Sequence, residues 1–126
     1  HNFSPFKDGN PACPPEERYK AVASGHDEAR LLAFKSADAV HWELIRETPI
    51  ITVGAFDSHN LAFWDACRQQ YVEYHRGFTD GVRAIMTSTT RDFLNWPEPQ
   101  WLQYTEGTPA EHLYTNGITP YHRAPH

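Results

Sequence analysis

Short runs of alternating apolar and polar side chains dominate this chain, and no apolar stripe at 3.6-residue spacing persists in it. In Gln70-Tyr71-Val72-Glu73-Tyr74-His75-Arg76, an extended backbone puts Tyr71, Glu73 and His75 on one face. Val72, Tyr74 and Arg76 then fall on the other, because successive side chains of a strand point to opposite sides. Clusters of Gly, Pro, Asn and Asp separate such runs and mark turns. The pattern predicts four strands near residues 3–10, 18–24, 30–36 and 42–45, and four more near 55–64, 70–77, 83–89 and 96–104. Residues 62–68 could make one helical turn at most.

The two sets of strands read as a repeat. Phe6-Lys7-Asp8-Gly9-Asn10 matches Phe56-Asp57-Ser58-His59-Asn60, and the offset from Asp8 to Asp57 is 57 − 8 = 49 residues. Ser36-Ala37-Asp38-Ala39-Val40-His41-Trp42 matches Thr90-Arg91-Asp92-Phe93-Leu94-Asn95-Trp96, at offsets of 92 − 38 = 54 and 96 − 42 = 54. In this segment the Asp suits a turn that caps backbone amides, and the Trp suits packing. Four strands in about 45–50 residues is the period of a propeller blade. The predicted fold is therefore all-β, a partial β-propeller. It has two four-stranded blades at about 3–45 and 55–104, plus the first strand of a third at about 111–126, read from Tyr114–His126. All 126 residues form a single domain. Unpaired strand edges are an aggregation hazard, so completion by oligomerisation, as a homodimer or a higher oligomer, is expected.

Composition narrows the function classes. Aromatic residues make up 13% of the chain, which suits strands with a packed core better than a disordered segment. Lys and Arg number 11 against 16 Asp and Glu, a net charge of −5 with no basic run to follow a phosphate backbone, so nucleic acid is not an expected partner. No apolar stretch approaches the ~20 residues of a membrane-spanning helix. A soluble protein with no membrane partner is expected, in a bacterial-type cytoplasm or periplasm. No signal peptide is recognisable, and a start on His1 rather than Met suggests that an upstream segment is missing. Cys13 and Cys67 are expected as reduced thiols, since two cysteines make no disulfide framework.

Ala55-Phe56-Asp57-Ser58-His59-Asn60-Leu61-Ala62-Phe63-Trp64-Asp65 resembles the interior of bacterial proteins related to five-bladed-propeller glycoside hydrolases, the invertase/levanase and arabinanase-like superfamily. So do the segments from Asn10-Pro11 to Arg18-Tyr19-Lys20-Ala21, from Leu113 to Asn116 and from Pro120 to His126. The resemblance covers essentially the whole chain but only about two-fifths of that superfamily's catalytic domain. It implies hydrolase chemistry by carboxylates on the inner strands of successive blades, because glycosidic cleavage needs an acid for the leaving oxygen and a carboxylate opposite it. Carried over by position, Asp57 is the first catalytic candidate, although this chain lacks the Arg and Pro that flank the superfamily's aspartate. Asp8, on the first repeat, and Glu111, as general acid, are the other two. Arg76, Arg83, Asn60 and Tyr114 are candidate substrate-binding residues for a carbohydrate or other small-molecule ligand, and no cofactor is required.

Read from residue types alone, the eight histidines open an alternative. His59, two residues after Asp57, could hold a divalent metal such as zinc together with Asp57, His75 and His112, and the metal would activate water for attack on an ester or phosphoester. A third reading is non-catalytic, a carbohydrate-binding or structural remnant.

Overall fold

The computed structural model describes residues 2–109, 111–121 and 123. It is all-β, with one 3₁₀ turn at Pro15–Glu17. Two four-stranded antiparallel sheets follow one another along the chain. The first is β1 (Ser4–Lys7), β2 (Tyr19–Ser24), β3 (Leu31–Ser36) and β4 (Glu43–Leu44), and the second is β5 (Leu61–Asp65), β6 (Gln70–Thr79), β7 (Val82–Thr90) and β8 (Gln100–Trp101). In each, every strand pairs with its sequence neighbour. Among the described residues no helix is long and apolar enough to cross a membrane. Cys13 and Cys67 form no disulfide.

Local chemistry accounts for these elements. β6 and β7 are the longest strands, and they meet at Asp80-Gly81, where both residues have positive φ, +50° and +78°. A two-residue loop of this shape matches the right-handed twist of its strands, and Gly adopts it without a Cβ penalty. The outer strands are shorter than the sequence predicts. Pro97 and Pro99 cannot donate ladder hydrogen bonds, so 96–104 contributes only Gln100–Trp101. Asp38 and Asp92 cap their turns: Asp38 Oδ1 accepts the N–H groups of Val40 and His41, and Asp92 Oδ1 those of Leu94 and Asn95.

One core lies between the sheets. Val22, Leu31 and Ala33 of the first sheet meet Ala62 and Tyr71 of the second, with Phe93 from the turn after β7 and Ile50, Ile51 and Phe56 from the connection between the sheets. Phe93 is buried with its ring 5.6 Å from that of Phe6 and 5.1 Å from that of Tyr71. Burying a side chain of this size contributes about 2–3 kcal/mol. The first strands of the two sheets, β1 and β5, are in contact.

Register corrects the expected repeat. Tyr19 sits opposite Lys7 and Ser36, and Tyr71 sits opposite Trp64 and Thr90. Lys7 therefore corresponds to Trp64, an offset of 64 − 7 = 57, and by the same offset Asp8 corresponds to Asp65 rather than Asp57. Asp8 follows the last residue of β1, whereas Asp57 precedes β5 by four residues. The strand expected over 55–64 starts only at Leu61, and the 55–60 segment touches the ladder at a single bridge, Ala55 to Arg76.

The expected first strand of a third unit, Tyr114–His126, is a second correction. Residues 114–121 and 123 contain no strand, and 122 and 124–126 lie outside the described residues. Residues 114–121 instead strap across the face of β5 and β6, where residues 118–121 and Phe63, Val72 and Tyr74 line a cavity of about 510 Å3. It takes no place in a ladder because its contacts run to side chains and loop backbone, as described below.

Candidate functional site

Three segments converge at the Arg76 end of β6. Alternation along the strand turns Arg76 away from the core and toward the C-terminal strap. Its guanidinium donates from Nη2 to Asp57 Oδ1. The Arg76 side chain is 2% exposed and that of Asp57 45%, so a buried cation holds a carboxylate that faces outward. Tyr114 lies over Arg76, its ring centroid 4.7 Å from the guanidinium carbon, and its carbonyl accepts from Nη1 at 3.4 Å.

The strap and the 55–60 loop tie each other down. Ser58 Oγ donates to the Tyr114 carbonyl at 3.0 Å. His59 Nδ1 donates to the Asn116 carbonyl, and Asn116 Nδ2 donates back to the His59 carbonyl, both at 3.2 Å. Asn60 is buried and donates from Nδ2 to the Phe56 carbonyl at 3.0 Å. The carbonyl oxygens of the Asn60 and Asn116 side chains and Nε of Arg76 and Arg83 are buried without a hydrogen-bond partner among the described residues. Such unpaired polar atoms are uncommon in folded proteins and call for an explanation at each site. Four such atoms lie on residues at this end of the sheet, and one of those residues, Arg76, holds the exposed Asp57 carboxylate.

Beneath this cluster a second pair supports the 53–57 loop. Glu73 and His75 are fully buried, with Glu73 Oε2 at 2.6 Å from His75 Nδ1. His75 Nε2 faces the Val53 carbonyl at 2.9 Å. A nitrogen facing a carbonyl carries a hydrogen, so Nδ1 and the Glu73 carboxyl share one proton between them. Burial pushes the Glu73 carboxyl above its ordinary pKa, and the bond to His75 offsets that in part. Gly54 has φ +144°, and a Cβ there would lie 2.4 Å from the His75 ring. Glycine is required for the loop to pass this close.

Most of the sequence-predicted site residues are brought together. Asp57, Arg76, Arg83, Asn60, Tyr114 and His59 share this end of the sheet, and His112 accepts from the Arg83 backbone N–H at 3.2 Å. Asp8 and Glu111 are not among them. Asp8 lies between the sheets, its side chain without exposure, 2.6 Å from Lys20 Nζ and 2.6 Å from the Tyr71 hydroxyl. Burial alone would raise its pKa, but the hydrogen bonds from Lys20 and Tyr71 outweigh that and hold the carboxyl below its ordinary value. Glu111 is exposed on the rim of a separate cavity of about 530 Å3, with Trp101, Tyr104 and Leu113.

The metal alternative finds no ligand set. Among the described residues no group of three or more His, Cys, Asp and Glu side chains converges to hold an ion. His75 has both ring nitrogens engaged in the core, while His59 and His112 are bound to the Asn116 carbonyl and to Arg83. Asn116, Ser58 and the Glu73–His75 pair were missed by sequence reasoning. Asn116 is adjacent to Tyr114-Thr115, but no spacing marks it as a partner of His59. No family model, no curated protein and no solved structure matches this chain.

Proposed function

We propose that this chain is part of a β-propeller of the glycoside-hydrolase lineage and that it presents Asp57 to a sugar. One observation carries the proposal: an exposed carboxylate oriented by a buried guanidinium, at an end of the sheet where several buried amide and guanidinium atoms lack partners among the described residues. A carboxylate held this way accepts paired hydroxyl hydrogen bonds. Exposed Tyr114 and Phe78 rings beside it offer apolar faces against which a pyranose or furanose can stack.

The two consecutive four-stranded meanders, with β1 against β5, support the propeller part. A propeller has about four or more blades, so the ring is completed by further blades. A second copy of this chain is the simplest source. Glycosidic cleavage takes two carboxylates. Asp8 is committed to Lys20 and Tyr71, and Glu111 stands outside the cluster, so the second carboxylate comes from the neighbour that completes the ring.

Purified protein is to be tested for its mass in solution, for saccharide binding by calorimetry and for hydrolysis of a panel of aryl glycosides. The expected outcome is an assembly larger than the monomer, in which Asp57→Asn lowers turnover roughly 10²–10⁴-fold, the range for loss of a positioned acid or base. Asn keeps an acceptor for Arg76 but leaves that buried guanidinium without its counter-ion, so the melting temperature should fall and turnover is compared at a temperature where both proteins are folded. Saccharide binding without turnover, still dependent on Asp57, would leave the binding site and remove the hydrolase. Wild type and Asp57→Asn behaving alike toward every saccharide would overturn the reading entirely.

A further inference from the structure

Among the described residues, Arg83 is a guanidinium without a counter-ion. It is the second residue of β7, opposite Phe78, while Arg76 pairs with Ile85. Arg76 and Arg83 are therefore diagonal neighbours on one face of the hairpin, at a separation where side chains still interact. Both sit against the same two rings. The Arg76 guanidinium carbon is 5.6 Å from the Phe78 centroid and 4.7 Å from that of Tyr114, and for Arg83 the values are 5.3 and 5.1 Å.

Asp57 neutralises Arg76. Among the described residues no carboxylate lies within ion-pair distance of Arg83. Its Nη1 is 3.4 Å from His112 Nδ1, a nitrogen that also accepts the Arg83 backbone N–H and so carries no proton. Its Nε is buried without a partner. The local sum is one negative and two positive charges, in a chain whose overall charge is −5. A partly buried cation with unused donors is costly unless an anion completes it, and guanidinium geometry favours planar, bidentate acceptors such as a carboxylate.

We infer that the ligand of this site is an anionic saccharide, whose carboxylate or sulfate group is taken by Arg83 while neighbouring hydroxyls reach Asp57. The inference rests on the sugar-binding reading of Asp57 and adds the ligand's charge. Tyr114 and Phe78 hold the guanidinium by cation–π contact and leave its outer donors to the ligand.

Calorimetric titration with trigalacturonate and with its neutral methyl ester tests this directly, because esterification removes the charges and leaves the sugar hydroxyls and linkages unchanged. Wild type should bind the acid at least about tenfold more tightly than the ester, the scale of one charge-assisted hydrogen-bond pair. The preference should shrink as salt is raised. Arg83→Gln should abolish the preference by weakening acid binding more than ester binding, while Arg83→Lys should keep part of it, since Lys holds the charge without the planar fork. A sulfated galactan oligosaccharide in parallel distinguishes sulfate from carboxylate as the preferred group. Equal binding of acid and ester by wild type, or a preference that survives Arg83→Gln, would overturn the inference while ester binding through Asp57 leaves the proposed function standing. No binding of either ligand to folded wild type removes both. If Arg83→Gln fails to fold by circular dichroism, the acid-to-ester ratio of wild type and of Arg83→Lys decides the matter.

Discussion

Replacing Lys20 by Met isolates the charge that joins the two sheets. Lys20 Nζ lies 2.6 Å from Asp8 Oδ2, with 5% of the Lys20 side chain and none of the Asp8 side chain exposed. Tyr71, from the second sheet, donates its hydroxyl to the same oxygen at 2.6 Å, and the Asn10 N–H reaches Oδ1 at 2.8 Å. Met fills much the same volume but leaves the carboxylate without a cation. Truncating one member of a buried pair costs about 3–5 kcal/mol. The lower end applies here, because Tyr71 and Asn10 still satisfy the oxygens. About 3 kcal/mol is a large part of the ~5–15 kcal/mol typical of a whole domain. At a urea slope of about 1.5–2 kcal/mol per molar, the midpoint should fall by roughly 1.5–2 M.

The pH dependence has a definite sign. The lowered pKa of Asp8 makes its contribution present above the unfolded value of 3.8 and lost as pH falls through the folded one. Burial lowers the pKa of Lys20, but its bond to Asp8 outweighs that and raises it above the unfolded 10.5. The Lys20 contribution is therefore complete below 10.5 and lost only as pH rises through the higher folded value. The Lys20→Met deficit should accordingly stay level across neutral pH and shrink in acid, where Asp8 protonates. Combining Lys20→Met with Asp8→Asn removes both charges and should recover most of the loss, giving a coupling of about 2 kcal/mol. If Lys20→Met does not fold, Tyr71→Phe removes one charged hydrogen bond at about 1.5–3 kcal/mol. A urea midpoint for Lys20→Met within about 0.3 M of wild type at pH 7 would refute the claim that a buried charge pair clamps the sheets.

Two further substitutions probe the loop that carries Asp57. The raised pKa of Glu73 means that its contribution is full below the ordinary 4.5 and fades as pH rises through the folded value. Glu73→Gln, which keeps a donor for His75 Nδ1 and never ionises, should gain stability relative to wild type as pH increases from about 4.5, read from urea midpoints across a pH series; a difference independent of pH would count against the shared proton. Gly54→Ala places a Cβ 2.4 Å from the His75 ring at φ +144°, and should cost about 1–3 kcal/mol or more in a thermal melt and weaken saccharide binding at Asp57. A Gly54→Ala protein with wild-type melting and binding would show that the His75 contact does not hold the loop.

Binary patterning and turn chemistry alone announced an all-β chain in two consecutive sets of four antiparallel strands, because period-2 alternation and Gly, Pro and Asp punctuation are local properties. Asp38 and Asp92 were legible as turn caps for the same reason: their partners lie two or three residues away. The candidate site was legible as residue types, with Asp57, Arg76 and Tyr114 singled out, but not as an assembly. Matching Asp8 to Asp57 followed a similarity between Phe6-Lys7-Asp8 and Phe56-Asp57 that ladder register does not respect. The spacing Phe-x-Asp, shared by Phe6-Lys7-Asp8 and Phe63-Trp64-Asp65, holds the correct correspondence. Only the tertiary structure decided that residues 114–121 lie as a strap on Arg76 instead of forming a strand, that Asp8 is sealed between the sheets, and that Arg83 has no anion among the described residues. Each of these depends on contacts between residues 30 or more apart in the chain, or on the absence of such a contact, and alternation within a strand carries no information about them.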